Sequence, residues 1–310
     1  RMKRMPGCFK TSSGAYEKRF EMKQLLILSG KGGTGKTTVA AAFIELSKAP
    51  TCADCDVDAP NLHLVMDHLP PPVRKDYQGL PKAWIDPSLC IQCGRCKEHC
   101  RFDAILALPK YRVEPYSCEG CGVCEAVCPV GAVEMKSNIA GELILYRNGR
   151  VFSTAQLKMG NGTSGKLVSE VKRQLTEPVP DAEFAIIDGS PGIGCPVIAS
   201  LSGSHSVLMV SEPSVSGISD LDRVIRAAKS FALKTAVCVN KADTNPFKTK
   251  EIEKYCREQG LDFVGEIPYD PTAVRAVNEG RTIVSLDCKA GRAVRVVYSK
   301  VWELFMKEES

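Results

Sequence analysis

The stretch Gly30-Lys31-Gly32-Gly33-Thr34-Gly35-Lys36-Thr37 constrains this chain more than any other. It fits the pattern GxxxxGK[ST] and lies between a short apolar run, Gln24 to Ser29, and a segment from Thr37 to Ser47 whose apolar residues Val39, Ala42, Phe43 and Leu46 recur at helical spacing. Strand, glycine loop and helix in that order predict a phosphate-binding turn. Its glycines allow the backbone angles that aim successive N–H groups at phosphate oxygens, and the helix N-terminus adds partial positive charge. Gly30, Gly32, Gly33, Thr34, Gly35 and Thr38 are the expected cradle, Lys36 the contact to the β and γ phosphates, and Thr37 a ligand of Mg²⁺.

Beyond the loop, short buried-strand candidates alternate with amphipathic stretches. Thr51 to Asp54, Phe184 to Asp188, Ser206 to Ser211, Thr235 to Asn240 and Phe263 to Ile267 read as strands, and Ile218 to Phe231 as one of the helices. Glu142 to Tyr146 and Arg150 to Leu157 flank an Asn148-Gly149 turn and read as a hairpin leading into a helix near Ser164 to Leu175. The pattern predicts an α/β fold, a mostly parallel sheet with helices on both faces. Between Trp84 and Lys136 the composition changes to dense cysteine with few apolar runs. Residues 23–80 and 138–310 are therefore read as one P-loop domain, 81–137 as a small α+β insertion within it, and 1–22 as a flexible basic extension.

Fifteen cysteines, an odd number, in a chain with no secretory signal argue for reduced thiols that hold metal, and for a cytoplasmic location. Eight of them form two runs of CxxCxxCxxxC, at Cys90, Cys93, Cys96 and Cys100 and at Cys118, Cys121, Cys124 and Cys128. Paired CxxC spacings also suit tetrahedral zinc, but the doubled run resembles that of bacterial ferredoxins carrying two [4Fe–4S] clusters, where the fourth cysteine of each run crosses to the other cluster. The resemblance implies a ferredoxin-like insertion with ligand sets Cys90, Cys93, Cys96 with Cys128, and Cys118, Cys121, Cys124 with Cys100. Arg101 stands where such a run carries proline. Of the others, Cys238 lies in an apolar strand and reads as core, while Cys8, Cys256 and Cys288 have no partner motif. Cys52 and Cys55 make a CxxC along a strand, whose alternation keeps the two thiols apart.

Lys31, a second lysine near the start of the phosphate loop, gives KGGTGKT and resembles the deviant Walker A group of ATPases that includes MinD, ParA, Mrp and the nitrogenase iron protein. The resemblance implies that Lys31 reaches across a dimer interface to the partner's nucleotide. Asp54-Cys55-Asp56-Val57-Asp58-Ala59-Pro60-Asn61 is similar to the group's switch I, which implies Asp56 orienting the attacking water and Asp54 near the Mg²⁺ shell. Asp188-Gly189-Ser190-Pro191-Gly192 is similar to switch II, with Asp188 binding Mg²⁺ through water and the Gly192 amide sensing the γ-phosphate. Asn240-Lys241-Ala242-Asp243 and Pro268-Tyr269-Asp270 resemble the adenine-side elements, with Asn240 and Pro268 at the base. Cys195, seven residues past Asp188, matches the offset of a cysteine that bridges subunits through a cluster in the nitrogenase iron protein, which makes it a candidate extra metal ligand.

The implied reaction is hydrolysis of ATP to ADP and phosphate, slow and stimulated by a partner. The leading expectation is an ATP-dependent homodimer, or heterodimer with a related ATPase, whose closure is coupled to electron transfer through two clusters to or from an unidentified redox protein. Rivals are a cluster carrier like Mrp, which would serve an acceptor protein, and a positioning ATPase like MinD. The formal charge of +5 does not call for nucleic acid, because residues 1–23 hold seven basic residues against two acidic ones and the remainder balances. Membrane association is not expected either: no apolar window reaches about 18 residues, and the stripe Val294, Val297, Val301, Leu304 and Phe305 suits a closing core helix.

Overall fold

A computed structural model describes residues 22–66, 69–107, 109–176 and 182–306. Except for Met22, the basic extension expected over residues 1–22 lies outside the described residues. The chain begins with β1 (Lys23–Leu28), α1 (Lys36–Ser47) and β2 (Thr51–Asp54), passes a 3-10 turn at Leu62–Val65, and forms β3 (Val73–Gln78). It then leaves the main sheet for β4 (Lys82–Ile85), α2 (Arg95–Glu98), β5 (Ile105–Leu106), β6 (Arg112–Val113), α3 (Val123–Ala126) and β7 (Val133–Lys136). It returns as β8 (Ile139–Arg147), β9 (Val151–Leu157), α4 (Ser164–Thr176), β10 (Phe184–Asp188) and α5 (Cys195–Leu201). The last third alternates β11 (Ser206–Ser211), α6 (Gly217–Ser230), β12 (Lys234–Asn240), α7 (Pro246–Glu258), β13 (Asp262–Ile267), α8 (Pro271–Asn278) and α9 (Lys289–Phe305).

Nine strands form one sheet in the order β13-β12-β11-β1-β10-β2-β9-β8-β3. From β13 to β9 every neighbouring pair is parallel; β9 with β8 and β8 with β3 are antiparallel. Parallel strands buried on both faces need continuous apolar runs rather than alternation, and β1 supplies one. Its Leu26 and Leu28 pack with Leu167, Val171, Val197 and Val224 of α4, α5 and α6, while Leu25 and Ile27 meet Phe43 of α1 and Val294 and Val297 of α9 on the other face. The C-terminal stripe is thus largely core: Val294, Val297 and Val301 are buried, whereas Leu304 is exposed. Among the described residues no helix is long and apolar enough to cross a membrane.

The excursion between β3 and β8 has its own small core of Ala83, Ile85, Ala104, Ile105 and Val133, with cysteines packed around it. Its two short helices each follow a glycine in the left-handed region, Gly94 at φ 81° and Gly122 at φ 75°. At those two positions the chain turns sharply between the second and third cysteine of a run, which a residue with a Cβ does only at a cost.

Candidate functional site

The carboxyl ends of β1, β2, β10, β11, β12 and β13 share one edge of the sheet, where open parallel sheets place their ligands. There the phosphate loop turns Lys36 inward, and at 5% exposure its ammonium lies 2.5 Å from Asp188 Oδ1. The Thr37 hydroxyl donates to Asp188 Oδ2 at 2.6 Å. Both oxygens of a fully buried carboxylate are therefore paired, which such a group needs in low dielectric. The three side chains expected to meet phosphate and Mg²⁺ neutralise one another.

Asp54 has a part that its sequence context does not reveal. Its Oδ1 accepts the Asp56 N–H at 3.0 Å, and its Oδ2 accepts those of Asn61 and Leu62, each at 2.9 Å. The carboxylate thereby fixes the fold of the 56–62 turn. Burial, together with the charge of Asp188, raises its pKa to about 7 against the opposing Leu62 N–H and Lys36. Asp56 is half-buried, and burial raises its pKa while Lys36 lowers it. The two segments expected to act as switches are bonded to each other, since the Cys55 N–H donates to the Asp188 carbonyl at 2.7 Å and the Ser190 hydroxyl to the Cys55 carbonyl at 2.6 Å. The Gly192 N–H donates to the Ser29 carbonyl at 3.0 Å, at the start of the phosphate loop.

Lys31, expected to act across a subunit interface, is held within its own chain. Its ammonium sits 2.7 Å from Glu212 Oε1 and donates to the hydroxyls of Ser214 at 2.9 Å and Ser216 at 3.3 Å. Lys241 shares Glu212 through its Oε2 at 3.3 Å and also donates to the Gly33 carbonyl at 2.8 Å. Glu212 is a residue that motif reading passed over. Its partner Lys31 lies far away in the chain, so no local spacing marks it.

On the other side of the loop, Asn240 Nδ2 donates to the Thr34 carbonyl at 2.7 Å. Gly35, at φ 88°, leaves it that space: a Cβ there would lie 2.1 Å from Asn240 Nδ2. Thr38, Asn240, Pro268 and Tyr269 line a cavity of about 230 Å³ that opens beside the loop. The expected base-side residues thus meet in one cavity, and Asn240 also braces the loop.

The eight clustered cysteines are divided between two largely apolar cavities. Cys90, Cys93, Cys96 and Cys128 line one, with Ile85, Tyr111 and Val133. Cys100, Cys118, Cys121 and Cys124 line the other, with Ala83, Ile105 and Met135. Among the described residues, no group of three or more His, Cys, Asp or Glu side chains is positioned to hold a metal ion. The Ala132 N–H donates to Cys128 Sγ at 3.2 Å. The second cavity lies toward the main sheet: the Lys82 ammonium donates to the carbonyl of Cys118 and, at 3.2 Å, to that of Gly160, in the loop before α4. In that loop Gly160 and Gly162 abut Tyr116 and Glu119, where a Cβ would come within 2.7 and 2.8 Å.

Cys195 is exposed at the start of α5, against α4: a Cβ on Gly165 would lie 3.1 Å from the Cys195 carbonyl oxygen. Cys52 and Cys55 are buried on opposite faces of the sheet, and burial pushes both thiols up to about 12, so the CxxC forms no joint site. Cys238 is core on the α1 face, Cys256 is buried, Cys288 caps α9 by accepting the Gly291 N–H at 3.3 Å, and Cys8 lies outside the described residues.

Residues 25–283 match the family model described as the CobQ/CobB/MinD/ParA nucleotide binding domain. An uncharacterized protein of Methanocaldococcus jannaschii is 29% identical over 291 residues, covering 90% of this chain and 96% of its own. The septum site-determining protein MinD of Bacillus subtilis is 25% identical over 274 residues, covering 84% of this chain and 81% of its own. In fold, the chain is similar to MinD of Pyrococcus horikoshii complexed with Mg-ADP, with a TM-score of 0.55 at 17% identity, covering 91% of this chain and 97% of that one.

Proposed function

The chain belongs to the CobQ/CobB/MinD/ParA family of nucleotide-binding domains, and from that premise we propose that it is an ATPase whose nucleotide cycle acts on two [4Fe–4S] clusters in its insertion. Lys36 leaves Asp188 for the β and γ phosphates of ATP. Thr37 and Asp188, thereby freed, would hold Mg²⁺, whose charge would offset that of the phosphates. Asp56 is the half-buried carboxylate that orients the attacking water, and the Gly192 N–H exchanges the Ser29 carbonyl for the γ-phosphate. Lys31 must leave Glu212 before it can reach a second subunit's nucleotide, which makes dimer closure conditional on that rearrangement.

Four thiols per cavity, in the crossed sets that the ferredoxin-like run implies, are the donor chemistry a [4Fe–4S] cluster requires. Cys90, Cys93, Cys96 and Cys128 would hold one cluster, and Cys100, Cys118, Cys121 and Cys124 the other. Such clusters supply one-electron transfer, and the apolar walls keep water from them. The observation that carries the coupling is the join between Lys82 and the loop before α4. A shift at Gly192 reaches α5 at Cys195, then α4 at Gly165, then the loop at Gly160 that shares Lys82 with Cys118.

Anaerobic purification with iron counting tests the proposal: about eight irons per chain are expected, with about half that number in Cys90→Ser. The second measurement is the midpoint potential of the clusters with and without a non-hydrolysable ATP analogue. A shift in the unmodified protein that disappears in Lys36→Ala supports coupling, and potentials indifferent to nucleotide sink it.

A further inference from the structure

At the edge of the sheet opposite the phosphate loop lies a cavity of about 440 Å³, roughly twice the volume beside Asn240. This is within the size range of small-molecule sites. Three segments meet around it: the end of α1 with Lys48, the chain after the 3-10 turn with Met66, and the β8–β9 turn with Tyr146, Asn148 and Arg150. None of the nucleotide or cysteine chemistry described above uses any of them.

Among the described residues, its lining carries charge of one sign only. Lys48 and Arg150 are the charged residues of its lining, and neither side chain has an ion pair or hydrogen bond among the described residues. Between them the wall is flat and aromatic, because Tyr146 stacks on the buried Phe152 with ring centroids 5.4 Å apart and planes 18° from parallel. Lys48 also occupies a position that favours glycine. It ends α1 in the left-handed region at φ 50°, a conformation that costs a lysine more than a glycine, and it lines the cavity. Of the last carbonyls of α1, those of Glu45 and Ile44 accept the Lys48 and Ala49 N–H groups, and the two cations must outweigh the remaining negative charge of the helix end.

From these observations we propose that the cavity between α1 and the β8–β9 turn is a binding site for a small planar aromatic anion, its ring laid against Tyr146 and its carboxylate or phosphate held by Lys48 and Arg150. Occupancy would bear on α1, whose other end is the phosphate loop, and on β8, which carries the chain out of the insertion. Its lining residues are separate from those of the proposed nucleotide and cluster sites.

Isothermal titration of the full chain with naphthalene-2-carboxylate tests it. One saturable site per chain is expected, with binding at least about tenfold weaker for the uncharged naphthalene-2-carboxamide and for K48Q/R150Q. Mg-ATP should not compete. The proposal is overturned by the absence of saturable binding, by equal binding to K48Q/R150Q, or by displacement with Mg-ATP. Should the double variant fail to melt cooperatively, Tyr146→Ser at the aromatic wall serves in its place, with the same weakening expected.

Discussion

Asp54 illustrates how much one buried carboxylate can govern. It holds the folded 56–62 turn through three backbone N–H bonds while standing beside Asp188 in the core. A pKa of about 7 in the folded chain, against 3.8 for an ordinary aspartate, means that the folded state keeps a proton the unfolded state has lost. Its stabilising contribution is therefore fully present below pH 3.8 and declines as the pH rises toward 7. Wild-type protein should melt at a lower temperature at pH 7.5 than at pH 5. In Asp54→Asn, which cannot ionise, that difference should shrink, and an unchanged difference in calorimetric melts would assign the slope to other groups. The resemblance of the motif around Asp54 implies a residue near the Mg²⁺ shell. It could not show the amide bonds, because Asn61 and Leu62 come back to the carboxylate only when the turn is folded. Glu212 was hidden for the same reason, since an ion pair to Lys31 spanning 181 positions leaves no local pattern.

At the scale of elements, the legible parts are those in which a local rule and the fold agree. β1, α1 and the β8–β9 hairpin announced themselves through apolar spacing, a glycine loop and an Asn-Gly turn. β3 did not: five of its six residues, Val73 to Asp76 and Gln78, are exposed, and only Tyr77 is buried. An edge strand with charged side chains resists unwanted pairing but resembles a loop in composition. Its place matters, because β3 and β8 are the two strands from which the cysteine-bearing segment is suspended. Beyond those two strands, Lys82 is the bolt that joins this segment to the loop before α4. Replacing it with Met removes a charged donor from two carbonyls, each such bond being worth about 1.5–3 kcal/mol before solvent exposure is discounted. Amide hydrogen exchange in residues 158–163 should accelerate in Lys82→Met while exchange in β1 and α1 stays as in the wild type. If the 158–163 amides are unaffected, the Lys82 contact is not what holds the loop.

On the scale of the whole molecule, the surface around the nucleotide site has the character of something to be covered. Ile193 is 51% exposed one residue after Gly192, and Val215 is 90% exposed between the two serines that hold Lys31. Single exposed apolar residues are ordinary, but these two lie on the segments that ATP would rearrange. Release of Lys31 from Glu212 frees a cation at the same place, so one event offers both apolar cover and a charge to a second subunit. The cost is an uncompensated Glu212, softened by Lys241, which remains 3.3 Å from its other oxygen. Lys31→Ala should leave nucleotide binding to one chain nearly intact, because Lys36, Thr37 and Asn240 are untouched, but should abolish assembly. Sedimentation velocity with a non-hydrolysable ATP analogue is expected to show dimers for the wild type and monomers for Lys31→Ala. Glu212→Gln, which loosens the hold on Lys31 within the chain, should dimerise at lower analogue concentration than the wild type. Were it instead to dimerise less readily, Glu212 would have to act across the interface rather than as an internal restraint, and closure would not depend on breaking the Lys31 pair.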